Sequence, residues 1–391
     1  MTAPDTPDLR TVRAFLDSEH HAWAEQVGAF ADWELKPRPE PADDAAARVE
    51  ARKLLALMGE AGLYEPIGAT DLRGCCIARE SIAAVSPLAD AVWALQGLGI
   101  TPVLLSGDNA LRARWAVPAL AGTLMSAFAL TEPEAGSDVA AMGTRAVRDG
   151  TDYVLDGTKW LISNAGIADY YVVFASTDPE AGSRGISAFL VSADTPGLAF
   201  VGAQVMSAAH PLGELAFDGC RIPGSHRIGG ENQGFKIAMA TLDRLRPTVG
   251  AAACGMAGRA LSEALGHAVE RTQFGKPLAE FQIVQDKLGR MAIDLAASRL
   301  LVYRAAWEKD LGAERITTEA AMAKAHATET AQRVIDEAVQ ILGGRGVLAE
   351  HVLDRMYRSI RAMRIYEGTT EIQHLIVAGR MIAAIREDGA S

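Results

Sequence analysis

Near its C-terminal end the chain reads RIYEGTTEIQ, Arg364 to Gln373, with Glu367 set directly before a glycine and between Tyr366 and two threonines. Such a stretch breaks a helix, exposes backbone and sets the carboxylate of Glu367 at the break, which packing alone does not require. In FALTEPEAGSDVA, Phe128 to Ala140, Gly136 and Ser137 lack bulk, so main chain can approach a ligand. Thr131 and Ser137 add hydroxyls there; a plain β-turn has the same composition. In GTKWLISNAG, strand alternation sets Leu161 and Ser163 on one face and Trp160 on the other. An apolar surface beside a hydroxyl suits a flat heterocycle, and equally an ordinary amphipathic strand. In ERTQFGKPLAEFQ, Arg271 and Phe274 at neighbouring helical positions offer a cation and an aromatic face, suited to a nucleotide's phosphate and adenine. A helix C-terminus at Gly275 is the alternative. Asp243 and Arg246 are spaced as helical neighbours, a pair worth at most ~1 kcal/mol if it lies at the surface. VQILGGRG adds Gln340 and two adjacent glycines, where backbone can lie against a ligand.

The elements that must position these groups fall into three zones. From Leu9 to about Gly122 the chain is rich in Ala and Leu, broken by LKPRPEPADD, a proline-stiffened connection between helices. From Thr123 to Gly234 the segments YVLDG, YYVVFAS, GISAFLVSA and ELAFDGCRIP are short and strand-like, separated by turn clusters. Ile186, Ala188 and Leu190 alternate as in a half-buried strand. From Phe235 on, Val284, Leu288, Met291 and Leu295 repeat at helical spacing, and Val302 rejoins the stripe. The Ala-rich run Thr317 to Leu342 ends at Gly343–Gly344, a C-cap signal. The expected fold is α+β, mainly α: an N-terminal helical domain (1–122), a central small β-domain (123–234) and a C-terminal helical bundle (235–391).

Composition narrows the function class. With 391 residues, 38 basic and 49 acidic, the net charge of −11 argues against nucleic acid and anionic membrane as partners. The four cysteines, Cys75, Cys76, Cys220 and Cys254, lack metal spacing, and adjacent Cys75–Cys76 is a poor disulfide; a reduced, cytoplasmic protein is expected. The start, MTAPDTPDLRTVR, has no apolar signal core, and no apolar run reaches the roughly 20 residues of a membrane span. The histidines are scattered, so no metal site is expected.

In their joint order, TEPEAGSD, the lysine-containing strand ending in ISN, RxxFGK, QILGGRG and IYEGTTEIQ closely resemble the acyl-CoA dehydrogenase flavoprotein family, over about Leu98 to Arg380. The resemblance implies FAD bound between β-domain and bundle, usually in a homotetramer, and a role in fatty acid metabolism. It implies that Phe128, Leu130, Thr131, Gly136 and Ser137 line the flavin. Leu161 and Ser163 would lie against the ring, Ser163 near N5. Arg271, Phe274, Gln282, Gln340 and Gly344 would hold the adenine half from the neighbouring subunit, with Gly368, Thr369 and Glu371 near the cofactor. Ser137, Asp243, Arg246, Tyr366 and Gly368 would meet the acyl-CoA substrate. Glu367 would be the base that takes the α-proton while a β-hydride leaves to flavin N5, electrons passing on to electron-transferring flavoprotein.

One branch of the family carries its base one residue before the arginine matched by Arg246; Leu245 stands there, leaving Glu367 as sole base. Departures from the family are Leu161 for an aromatic, Ser359 for an aspartate, Val347 for a tyrosine, and PIGATDLRGCC near Pro66. Trp93, on a helix that often floors the pocket, favours a short, branched or cyclic acyl group, or is simply core. Competing readings are a dehydrogenase of a carrier-protein-tethered acyl group, an acyl-CoA oxidase, and a non-catalytic flavin-binding relative. Retention of Glu367 and the acidic balance argue against the last.

Overall fold

The computed structural model describes residues 8–106 and 109–388. The first residues of the stretch searched for a signal core, and the extreme C-terminus, lie outside them. Helices come first, then strands, then helices, as the zones predict. The chain divides into two compact units.

One unit takes the chain up to Arg38, Asp71–Asp90 and everything from Asp243 on. Its frame is the long helix Gly234–Glu270 (from Asp243), with Gln282–Asp310, Thr317–Leu342, Val352–Met363 and Thr370–Asp388. Helix Thr317–Leu342 packs against Gln282–Asp310, Val352–Met363 and Thr370–Asp388. Its buried alanines, among them Ala320, Ala327 and Ala331, allow that close approach. Of the expected stripe, Met291, Leu295 and Val302 are buried and Val284 and Leu288 half-buried. Gly343, at φ 59°, ends the alanine-rich helix as its composition predicts. Inside the frame Glu80 is fully buried, accepting from Arg299 Nε at 2.7 Å and Tyr303 Oη at 2.8 Å.

The other unit takes Pro39–Thr70 and Ala91–Leu242. Its centre is an eight-stranded sheet: β1 (Ser126–Ala129), β2 (Arg145–Asp149), β3 (Asp152–Ser163), β4 (Tyr170–Ser176), β5 (Ile186–Ser192), β6 (Leu198–Ala203), β7 (Leu212–Ile222) and β8 (Arg227–Ile228). The order is β6-β7-β3-β2-β4-β5-β8, with β1 parallel to β4. Trp93 is fully buried, donates from Nε1 to the Leu63 carbonyl at 2.8 Å and lies 6.4 Å from the Tyr64 ring.

Four sequence expectations need correction. β5 is buried from Ile186 to Val191, both side-chain rows alike, because neighbours cover both faces; the alternation of Ile186, Ala188 and Leu190 does not mark a solvent side. Arg271 and Phe274 are not helical neighbours. The helix ends at Glu270, and a hairpin pairs Thr272–Gln273 with Lys276–Pro277 across Phe274 (φ 50°) and Gly275 (φ 80°). Two consecutive positive φ values are what a tight hairpin turn demands, and Gly275 supplies one of them without strain. Along β3 the pleat breaks at Leu161, whose φ is 54°, where three β3 steps from Lys159 to Ile162 match two on β7. This bulge removes the unbroken alternation on which a shared face for Leu161 and Ser163 rested. Lastly, the helix Pro87–Leu105 is long and apolar enough to cross a membrane by length and composition, contrary to the sequence estimate. It is 83% buried inside the protein, as a core helix is.

Candidate active site

Glu367 sits in the turn between helices Val352–Met363 and Thr370–Asp388. Glu367 (φ 55°) and Gly368 (φ 93°) are both left-handed, which for Glu367 costs on the order of 1–2 kcal/mol. Buried polar groups hold that conformation. Arg246 donates from Nε to the Glu367 carbonyl at 3.0 Å and Lys324 from Nζ to the Gly368 carbonyl at 2.7 Å. Gln373 Nε2 reaches both carbonyls, at 3.3 and 3.0 Å. Glu329 Oε1 accepts from Arg364 Nε and Thr370 Oγ1, each at 2.7 Å, and so clamps both ends of the turn. The N–H groups of Glu367 and Gly368 donate to no group among the described residues.

The carboxylate itself is left open. Glu367 Oε2 is buried and accepts no hydrogen bond. Burial raises its pKa above the ordinary glutamate value, opposed by Arg79, Arg246 and Lys324, while Asp90 adds to the rise. A buried carboxylate oxygen without a partner and with an elevated proton affinity suits a proton acceptor. Arg246 Nη1 is paired with Asp243 Oδ1 at 2.7 Å, and Asp243 Oδ2 accepts from Thr317 Oγ1 at 2.6 Å. The expected pair is therefore real, but Arg246 is only 4% exposed and its target is the turn carrying Glu367. Burial lowers the Lys324 pKa to about 8, against the pull of Glu367. Burial raises that of Tyr366, to which Arg79 is hydrogen-bonded. Thr369 Oγ1 accepts from the Ile372 N–H at 3.3 Å and so caps the following helix, while Glu371 is exposed in its first turn.

In the sheet unit, Trp160 N–H donates to the Thr131 carbonyl at 2.9 Å, which brings FALTEPEAGSD and KWLISN side by side. Lys159, fully buried, reinforces the junction from Nζ to the Leu130 carbonyl (3.1 Å) and Glu132 Oε1 (2.7 Å). Burial lowers its pKa to about 8 against the pull of Glu132. At this junction Phe128 is half-buried, Leu130 buried and Thr131 half-buried, while Gly136 and Ser137 are exposed, with open space where a Gly136 Cβ would stand. Leu161 is 42% exposed, its N–H held by Gln204 Oε1 at 2.9 Å. Ser163 Oγ is 2.7 Å from His210 Nε2, and burial pushes His210 down to about 4, so the imidazole is neutral.

In the helical unit the phosphate- and adenine-directed candidates all lie on the surface. Arg271, Gln282, Gln340 and Gly344 are exposed, and Phe274 is 94% exposed. His267, beside the hairpin, is lowered by burial and by both Arg345 and Arg271, so the hairpin and the QILGGRG turn share one basic neighbourhood.

Sequence reasoning missed Arg79, Lys324, Glu329, Gln373 and His210. Only Lys324 leaves a signal, a lone cation on the buried face of AAMAKAHATETAQ. Gln373 closes the RIYEGTTEIQ stretch itself without marking its role, while Arg79, Glu329 and His210 stand far along the chain from the turn or strand they serve. No group of three or more His, Cys, Asp or Glu able to hold a metal occurs among the described residues.

Helices, a strand-rich middle and a helical C-terminal segment bearing a buried, unpartnered carboxylate oxygen define a three-part architecture. The acyl-CoA dehydrogenase N-terminal, middle and C-terminal domains match residues 17–123, 127–220 and 232–382. The chain is 39% identical to the mitochondrial short-chain specific acyl-CoA dehydrogenase of Bos taurus, over 95% of this chain and 92% of the relative. A solved chain reported under "Electron transferring flavoprotein of Acidaminococcus fermentans: Towards a mechanism of flavin-based electron bifurcation" superposes with TM-score 0.89 at 35% identity, covering 94% of this chain and 98% of that one. A glutaryl-CoA dehydrogenase from Mycobacterium smegmatis, solved in complex with FADH2, gives TM-score 0.87 at 28% identity, over 97% and 98% of the two chains. The chain belongs to the acyl-CoA dehydrogenase family, an oxidoreductase family that uses FAD.

The residues present fit that cofactor. An exposed apolar Leu161, the small residues Gly136 and Ser137 and an open Gly136 flank suit a flat ring approached by backbone. Exposed Arg271 and Phe274 in a basic neighbourhood suit a pyrophosphate and a purine.

Proposed function

We propose that the protein is an α,β-dehydrogenase of acyl-CoA thioesters in which Glu367 removes the α-proton. The observation that carries this reading is the buried, unpartnered Glu367 Oε2 on a turn held from three sides. An α-proton of a thioester is a very weak acid, so its removal needs a desolvated base and donors for the enolate oxygen. Burial supplies the first; the unengaged N–H groups of Glu367 and Gly368 are candidates for the second. Leu245 cannot take a proton, which leaves Glu367 as the base. FAD, when bound, supplies a hydride acceptor. Phe128, Leu130, Thr131, Gly136, Ser137, Leu161 and Ser163 would hold its ring. Arg271, Phe274, Gln282, Gln340 and Gly344 would hold the adenine half, offered by a neighbouring copy in a homotetramer. Asp243, Arg246 and Tyr366 frame the thioester end.

The short-chain relative supports a short acyl group carried on CoA, and the electron acceptor proposed is electron-transferring flavoprotein. Four free, buried thiols suit the cytoplasm, and the metabolic place proposed is fatty acid breakdown.

The test is anaerobic mixing of the yellow protein with a panel of acyl-CoA thioesters of graded length and branching. Flavin absorbance should fall with a short acyl-CoA. Glu367→Gln should stay yellow and fail to bleach with every thioester; full bleaching in that variant removes Glu367 from the mechanism. Light scattering should report four chains per particle.

A further inference from the structure

Arg79 lies on the helix Leu72–Ala83 and is 1% exposed. Its guanidinium is fully engaged on one side: Nε and Nη2 grip Asp90 Oδ1 and Oδ2 at 2.8 and 2.7 Å, and Nη1 donates to Thr248 Oγ1 at 3.1 Å. Thr248 stands two residues after Arg246, whose Nε holds the Glu367 carbonyl. Arg79 also hydrogen-bonds the hydroxyl of Tyr366, the residue before Glu367. The cation is thus fixed beside the turn of the base, yet touches none of the carbonyls that define its shape. A bidentate guanidinium–carboxylate clamp fixes position far better than a single flexible contact.

The charges facing Glu367 come from every element packed around it. Arg79 comes from Leu72–Ala83, Asp90 from Pro87–Ser106, Asp243 and Arg246 from Gly234–Glu270, and Lys324 and Glu329 from Thr317–Leu342. The turn itself adds Tyr366, Arg364 and, beyond it, Glu371. Glu329 is matched by Arg364 and Asp243 by Arg246. Among the inner groups Arg79, Arg246 and Lys324 make three cations, and Asp90 and Asp243 two anions. The cluster is neutral only when Glu367 carries its charge.

We propose that Arg79, clamped by Asp90 and Thr248, is a positioning residue that keeps Glu367 in its proton-accepting form. The proposal deepens the dehydrogenase reading and rests on it for its kinetic readout. Arg79 leads the three cations that favour ionisation of Glu367, ahead of Arg246 and Lys324, while Asp90 opposes it. The clamp fixes the guanidinium on the side of Thr248 and so of the Arg246 that holds the turn. A purely structural ion pair would leave the proton affinity of Glu367 unchanged when replaced by a neutral pair of similar shape.

The experiment measures the pH dependence of anaerobic flavin bleaching between pH 5 and 8 for the wild type, Arg79→Gln, Arg79→Lys and the double variant Arg79→Gln/Asp90→Asn. The double variant leaves no unpaired buried charge and carries the test if Arg79→Gln alone does not fold. A parallel infrared titration of the oxidised protein follows the Glu367 carboxyl, identified by its loss in Glu367→Gln. The acidic limb and the infrared midpoint should move up by on the order of one pH unit in Arg79→Gln and in the double variant, and return towards the wild type in Arg79→Lys. Unmoved midpoints in the neutral variants overturn the proposal. If no thioester bleaches the wild type, the dehydrogenase reading falls, while the infrared titration still decides what Arg79 does to Glu367.

Discussion

Arg246 joins two parts of one site: its Nε donates to the Glu367 carbonyl at 3.0 Å while its Nη1 grips Asp243 at 2.7 Å. The Glu367 turn is therefore held by a side chain whose own direction is fixed by an acid one helical turn away, itself tied to Thr317. Arg246→Lys keeps the charge and loses the fork. The expected result is a bleaching rate lower by on the order of 10²-fold with FAD retained, because a base displaced by about 1 Å loses its aim. Rapid-mixing absorbance measures it, and a wild-type rate would show that the fork is dispensable.

Gly368 has φ 93°, and a Cβ there would stand 2.5 Å from Gln373 Nε2, the amide that holds the turn carbonyls. Gly368→Ala should lower stability by about 1–2 kcal/mol and slow bleaching more than it lowers FAD content. Thermal melting, flavin absorbance and rapid mixing on one preparation separate the three effects. A variant that melts and bleaches like the wild type would mean that the turn tolerates a side chain.

Lys324 and Lys159 are both fully buried, with burial lowering each pKa from 10.5 to about 8. Above about 8 these amines are neutral in the folded chain but still charged in the unfolded one, so the unfolded state binds more protons. Stability therefore rises with pH in that window, and the burial cost is fully present below it. Urea midpoints between pH 8 and 10 should climb in the wild type. They should climb less in Lys324→Met and Lys159→Met, and equal slopes in all three would contradict the assignment.

Phe274 crowns a two-residue hairpin with 94% of its surface uncovered in the single chain. If an adenine covers it, Phe274→Ala should weaken FAD retention by about tenfold, the magnitude of one aromatic stacking contact. The flavin-to-protein absorbance ratio after gel filtration reads this directly. A variant as yellow as the wild type would move the adenine elsewhere.

Contiguous features were legible in the sequence. RIYEGTTEIQ announced a helix broken at Glu367, and the structure has both the break and the left-handed pair at Glu367 and Gly368. The Asp243–Arg246 pair followed from helical spacing. Local pattern failed where chain geometry departs from a single period: at Leu161, where a bulge interrupts the pleat, and at Phe274, where a hairpin replaces the helix. β5 was misjudged because alternation reports two faces but not what covers them.

What the sequence by itself determined is the order of helices and strands, the turn-forming glycines and the placing of Glu367 in a helix break. These depend on backbone preference and residue spacing, which are local. Only the tertiary structure decided that Glu367 Oε2 is buried, which cations face it and what holds its turn. Arg79, Arg246, Lys324 and Glu329 come from three helices far apart in the chain, and a carboxylate's proton affinity depends on distance in space rather than along the sequence.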